Sequence, residues 1–155
     1  MQRDADIIRA LGLVALYAAY VEESIDVVME RLSAKKEVTD RERKWPTSQK
    51  IAWCKSVLKS FESNELDDLI AVLDDAANLL ERRNEVIHGR IYGNNDRSDT
   101  LKSGRKGLPD KQVTAGELYD LAQELLESQA AVPNVDYDAT LRAIAGNTMP
   151  SKPSP

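Results

Sequence analysis

The chain is poor in the residues that staple, ligate or stack. Its 155 residues include one cysteine (Cys54), one histidine (His88), one phenylalanine (Phe61) and two tryptophans (Trp45 and Trp53). A single cysteine excludes an internal disulfide framework, and one cysteine with one histidine excludes a structural zinc site built from those residues. Scarce aromatics disfavour recognition of single-stranded nucleic acid by base stacking. Seven glycines and six prolines without a fixed period exclude collagen-like and repeat architectures. No apolar run reaches the ~20 residues of a membrane helix. The nearest, Ile7 to Val21, is interrupted by Arg9 and stops at Glu22-Glu23. It also makes a poor secretory signal, because Asp4 and Asp6 stand where positive charge is needed. The expectation is a soluble cytoplasmic protein in a reducing compartment, with no membrane partner.

What is present is ordinary globular material, 42% apolar and 30% charged. At this length the chain can bury a core as one domain. The apolar spacing predicts an all-α bundle of four to five helices over residues 1–131, with a long loop or small hairpin after the third helix. Residues 132–155 are expected to form a tail, with a short helix near Asp136 to Ile144 and a disordered end from Gly146.

The first helix, from about Asp4 to Leu32, has the spine Ile7, Leu11, Val14, Ala18, Val21, Ile25, Val28, Leu32. A second stripe of Leu13, Tyr17, Tyr20 and Val27 widens it, so this helix is central to a bundle or sits in a subunit interface. A charged connector from Lys35 to Pro46 leads to a second helix capped by Thr47 or Ser48, with Ile51, Cys54, Val57, Leu58 and Phe61 on one stripe. Cys54 therefore reads as a small buried hydrophobe. The third helix is expected to start at an Asn64 cap and end at His88, with Gly89 as a left-handed C-cap. Arg90-Ile91-Tyr92 and Thr100-Leu101-Lys102 are placed to pair as a hairpin. Thr114-Ala115-Gly116-Glu117 is a capping box that opens a fourth helix with Leu118, Leu121, Ala122 and Leu125 on its inner face.

Charge is uneven. The formal net charge is −5, yet residues 35–60 hold eight Lys/Arg against three acids, and residues 89–112 hold six against three. Both stretches can meet a polyanion, or they are simply solvated loops.

The third helix changes character at its end. Its stripe Leu66, Leu69, Ile70, Leu73, Ala76, Ala77, Leu80 continues by spacing to Arg83, Asn84 and Ile87. His88 lies one turn beyond Asn84, about 40° away, and about 7.5 Å along the axis from Arg83. A core face thus turns into a guanidinium, an amide and an imidazole. Buried without partners, such groups cost several kcal/mol, so they need a satisfied network or a wet cleft.

Arg83-Asn84-Glu85-Val86-Ile87-His88 resembles the R-x4-6-H motif of the HEPN superfamily, in which a polar residue often follows the arginine. The resemblance spans Ile7 to about Gln129. It implies a metal-independent endoribonuclease without cofactor, of the kind that serves as toxin or defence component of a two-gene system, or a non-catalytic RNA binder. It also implies a homodimer in which two motifs line one cleft, and a cognate antitoxin protein as partner. One subgroup carries a tyrosine two residues after the histidine, modified by a nucleotidyltransferase antitoxin. Here that position is Arg90, and Tyr92 lies two further on.

The chemistry stands on its own terms. RNA can be cut without metal by its own 2′-hydroxyl if protons move near neutral pH and fixed positive charge meets the pentacoordinate phosphate. His88 is the one side chain that titrates in that range, and a place in the last helical turn, where the dipole favours a cation, suits a general acid. Arg83 offers a planar fork for phosphate oxygens. Asn84 can orient the phosphate or the 2′-hydroxyl. Arg90, Arg105 and Lys106 can hold the RNA backbone. One histidine cannot easily be both base and acid, which favours a two-fold pair of chains. The bland alternative is a capping network, with Arg83 paired to an acid and His88 bonded to a helix-end carbonyl.

Two other functions stay open. One is a non-catalytic RNA- or protein-binding module, immunity- or antitoxin-like, whose acidic surface suits a basic partner. The other is a magnesium-dependent nucleotide pyrophosphatase using Glu22, Glu23 and Asp26 with Glu65 and Asp68. Those acids equally fit a wet helix face and a helix N-terminus.

Overall fold

The computed structural model describes residues 2–92, 99–102, 107, 109–134, 142, 145 and 146. These residues form an all-α arrangement with a minor sheet: α1 (Gln2–Leu32), α2 (Asp40–Arg43), α3 (Thr47–Lys59), α4 (Asp67–Ile87), β1 (Arg90–Tyr92), β2 (Asp99–Lys102), β3 (Lys111–Val113) and α5 (Ala115–Asn134). A 3-10 turn, Asn64–Leu66, precedes α4. The expected tail helix and most of the tail lie outside the described residues. The chain groups into two compact units, Met1–Val21 with Asp75–Gln129 and Glu22–Asp74 with Ala130–Pro155.

In the first unit, the spine of α1 is buried at Ile7, Val14, Ala18 and Val21, as the 3.6-residue spacing requires. Ala10 joins it, and Leu11 is only half-buried. Ala76, Leu80 and Val86 are the buried positions of α4 in this unit. The capping box forms as expected: the Thr114 amide donates to Glu117 Oε2 at 2.7 Å, and the Glu117 amide donates to Thr114 Oγ1 at 3.2 Å. Leu118, Leu121, Ala122 and Leu125 of α5 are all buried. The expected hairpin forms, pairing Arg90 with Lys102, Ile91 with Leu101 and Tyr92 with Thr100. A third strand, unforeseen, pairs Thr100 with Gln112 and Leu101 with Lys111. Leu101 and Val113 point into the core.

In the second unit, Ile25, Val28, Met29 and Leu32 of α1 are buried, with Ile51, Trp53, Cys54, Val57 and Leu58 of α3 and Leu69 and Leu73 of α4. The charged connector contains a helix that periodicity could not reveal. Thr39 and Glu42 form a capping box around α2, with the Thr39 amide donating to Glu42 Oε2 at 2.7 Å. Both bonds to Thr39 hold the Glu42 carboxyl below the usual range. Two helix starts differ from expectation. Pro46 precedes α3 with no side-chain cap, and Ser63, not Asn64, caps the 3-10 turn by accepting from the Glu65 amide. Cys54 is buried as expected, and burial pushes its thiol up to about 12.

The first basic stretch is largely consumed inside this unit. Lys50 Nζ meets Asp26 Oδ1 at 2.6 Å, Lys55 pairs with Asp74, and Arg43 bridges Glu30 and Asp40. Lys35 lies over Phe61 and Lys36 over Trp53. Residues 47–59 are therefore a packed helix with anchored cations and not a solvated loop.

Candidate functional site at the end of helix α4

The C-terminal half of α4 is pinned on one side by charge. Arg82 donates to both carboxylate oxygens of Glu124 on α5, the longer bond at 3.2 Å. Glu85 accepts from Lys111 Nζ of β3 at 2.8 Å. These exposed pairs contribute at most about 1 kcal/mol each and mark the side of the helix that faces β3 and α5. Arg82 and Val86 consequently line a cleft of about 200 Å³ with Lys111, Val113, Glu117 and Leu118. None of the expected site residues lines that cleft.

Arg83, Asn84, Ile87 and His88 fall on the remaining side. Arg83 and Asn84 are half-buried, and the Arg83 Nε is shielded from solvent. His88 is exposed. Its backbone amide donates to the Asn84 carbonyl at 3.1 Å, so the chain keeps its helical path through the histidine. The expected continuation of the buried stripe fails at Ile87, which is 38% exposed, while Val86 is buried in its stead. The reason is a change of neighbours: near its end α4 packs on β3 and α5, which lie on the Val86 side. The face that is apolar at Ala76 and Leu80 thus carries a half-buried guanidinium and amide and then an exposed imidazole.

Gly89 does not act as a left-handed cap. Among the described glycines only Gly107 has positive φ. Gly89 is needed for a different reason: a β-carbon there would collide with Leu101 Cδ1, and would stand 2.8 Å from the Glu85 carbonyl oxygen and 3.0 Å from that of Lys102. This close approach seats β2 against the helix end and starts β1 immediately after His88. Arg90 is exposed beside the motif. Arg105 and Lys106 lie outside the described residues.

Register brings in two residues that the sequence reading passed over. Arg90, Tyr92, Thr100, Lys102 and Gln112 project from the outer face of the sheet, because paired residues share a face and Leu101 and Val113 occupy the inner one. Tyr92 is 46% exposed, and Lys102 Nζ lies 5.2 Å from its ring centre. The signal was the alternation of Arg90 with Tyr92 and of Thr100 with Lys102.

Among the described residues no three His, Cys, Asp or Glu side chains gather in a way that could hold a metal ion. Asp26, required by the magnesium reading, is engaged by Lys50. No described helix is long and apolar enough to cross a membrane. Compared with protein-family models, curated proteins and solved structures, the chain matches none.

Proposed function

We propose that the chain is a metal-independent endoribonuclease of HEPN type, acting as a homodimer and needing no cofactor. The observation that carries this reading is the exposed His88 imidazole, one turn from the half-buried Asn84 and a turn and a half from the half-buried Arg83. In the reaction, the 2′-oxygen of the substrate attacks the adjacent phosphorus and loses its proton to one imidazole. The bond to the 5′-oxygen breaks, and a second imidazole protonates that leaving oxygen. The products are a 2′,3′-cyclic phosphate and a 5′-hydroxyl. His88 supplies one of these groups and His88 of the partner subunit the other. Arg83 neutralises charge that builds on the equatorial phosphate oxygens. Asn84 orients the phosphate, and Arg90 holds the strand. A toxin or defence role, with a cognate antitoxin protein that masks the site in the cytoplasm, follows from the same reading.

A second copy has a suitable surface. On α1, away from its buried spine, Leu16 and Tyr20 are 44% and 42% exposed, with half-buried Leu13 and Tyr17 beside them. Positions 9, 13, 16 and 20 repeat with the 4-3-4 spacing of a helix-pairing seam. An antiparallel two-fold contact sets Leu13 against the partner's Leu16 and Arg9 over the partner's Tyr20. A parallel one would set Arg9 against its own copy.

The test is cleavage of single-stranded and structured RNA in EDTA by the wild type and by His88→Ala. Cleavage by the wild type, lost at least a hundredfold in the variant at unchanged melting temperature, supports the reading. Equal rates, or no cleavage by the wild type, overturn it.

A further inference from the structure

We infer that the outer face of the three-stranded sheet is a binding platform for single-stranded RNA, with Tyr92 as the base-stacking residue and Lys102 and Arg90 as the phosphate contacts. This rests on the nuclease reading and deepens it, because it names the form of substrate and the surface along which the strand leaves the histidine.

Three features point to that ligand. First, the face carries an aromatic ring that remains 46% exposed after folding. Among the described residues Trp53 and Phe61 are buried, and Tyr20 of α1, at 42%, is the other ring exposed to a similar degree. A sheet buries one face against the core, so an exposed tyrosine on the other is apolar area left in water, and a base is the ligand with the matching π surface. Second, the charge on this face has one sign. Arg90 and Lys102 pair across β1 and β2, and Gln112 and Thr100 continue the same face with groups that donate or accept neutral hydrogen bonds. Glu85, the acid engaged by Lys111, bonds to β3 from α4, on the helix side of the sheet. The Lys102 ammonium over the Tyr92 ring adds a cation at the spot where a stacked nucleotide would bring its phosphate. Third, the platform is rigidly joined to the candidate site. Arg90 is two residues from His88, and the tight seat of Gly89 against Leu101 leaves little freedom between helix end and sheet. A nucleotide stacked on Tyr92 is therefore held within a short reach of the imidazole.

Duplex RNA hides its bases and offers nothing to a single exposed ring, so the platform selects unpaired nucleotides. Aromatics are scarce in this chain. Placement matters more than number: one ring on an open cationic face suffices to hold one base.

The test measures binding apart from cutting. A fluorescent 2′-O-methyl RNA decamer, which lacks the attacking hydroxyl, is titrated with the full-length wild type, Tyr92→Phe, Tyr92→Ala and Lys102→Glu, with melting temperatures recorded for each. Tyr92→Ala is expected to weaken binding on the order of tenfold or more, Tyr92→Phe to keep it within about threefold, since the ring remains, and Lys102→Glu to weaken it and flatten its salt dependence. Absence of binding by the wild type, equal affinity for an unlabelled duplex competitor, or no loss in Tyr92→Ala overturns the platform. RNA cleavage with no effect of Tyr92 overturns the platform and leaves the nuclease standing. Tyr92-dependent binding with no cleavage of ordinary RNA does the reverse.

Discussion

Leu101 fills the space that a β-carbon on Gly89 would need. The carbonyl oxygens of Glu85 and Lys102 close the same space at 2.8 and 3.0 Å. The leucine side chain can shift, but two backbone oxygens, one in α4 and one in β2, cannot yield without moving those elements. Gly89→Ala is therefore expected to cost about 1–3 kcal/mol, the range for overpacking a fitted site. For a chain of this size that is a melting temperature about 3–10 °C lower. A thermal scan by circular dichroism reads it, and an unchanged midpoint would mean that the junction is soft.

The same junction marks where the sequence was legible and where it was not. Helix periodicity foretold the buried faces of α1 and α5, and the two short segments around Ile91 and Leu101 foretold the hairpin. The Thr114 capping box was readable because both partners lie within one turn. β3 is three residues long and mostly polar, so no pattern announced it, yet it decides which side of α4 is covered. That is why Val86 is buried and Ile87 is not. Gly89 was correctly singled out but for the wrong reason, since a clash with a residue 12 positions away leaves no local trace. Arg83, Asn84 and His88 stood out because polar groups broke an apolar stripe. Tyr92 and Lys102 became a pair only through cross-strand register.

Arg83 separates charge from geometry. Lysine keeps the positive charge but loses the planar fork that takes two phosphate oxygens at once. Loss of one charge-assisted bond in the transition state is worth about 1.5–3 kcal/mol, which is roughly a 10- to 100-fold fall in rate. Arg83→Lys is expected to lower the cleavage rate by that factor, with RNA affinity and melting temperature close to wild type. Full activity in the lysine variant would assign Arg83 to bulk electrostatics alone.

Cys54 is expected to be inert in the folded chain. Its thiol is fully covered, and burial together with the nearby Asp26 carboxylate pushes it up to about 12. At pH 8 the thiolate fraction is then about one in ten thousand. A chromogenic disulfide reagent should react only after denaturant is added, with one equivalent released. Rapid reaction in native buffer would show that α3 opens locally.

The α2 capping box predicts a pH signature. Hydrogen bonds from the Thr39 amide and hydroxyl hold the Glu42 carboxyl below its ordinary value of 4.5. A carboxyl lowered in the folded state contributes stability above its unfolded value and loses it as pH falls through the folded one. Wild type should therefore melt higher than Glu42→Gln at pH 6, and the gap should shrink below about pH 4.5 as the carboxylate protonates in both folded and unfolded chains. Hydrogen exchange of the Thr39 amide reports the local effect. A gap that stays constant from pH 6 to pH 3 would show that the ionised side chain is not what holds α2.

The proposed nuclease chemistry needs a second histidine, and the proposed seam on α1 would supply it. Leu16 lies near the two-fold of the antiparallel arrangement, so Leu16→Glu brings two carboxylates together in an apolar centre. A like-charge pair there is disfavoured far more than a lone exposed glutamate. Leu16 is 44% exposed in the single chain, so the variant's own fold should be nearly unaffected. Light scattering after gel filtration is expected to give a dimer for the wild type and a monomer of about 17 kDa for the variant. Arg9→Glu should also weaken the dimer by replacing the cation over the partner's Tyr20 with an anion. If the monomeric variant still cuts RNA at the wild-type rate, catalysis does not draw on two histidines. A dimer that survives both substitutions would place the interface elsewhere on the chain.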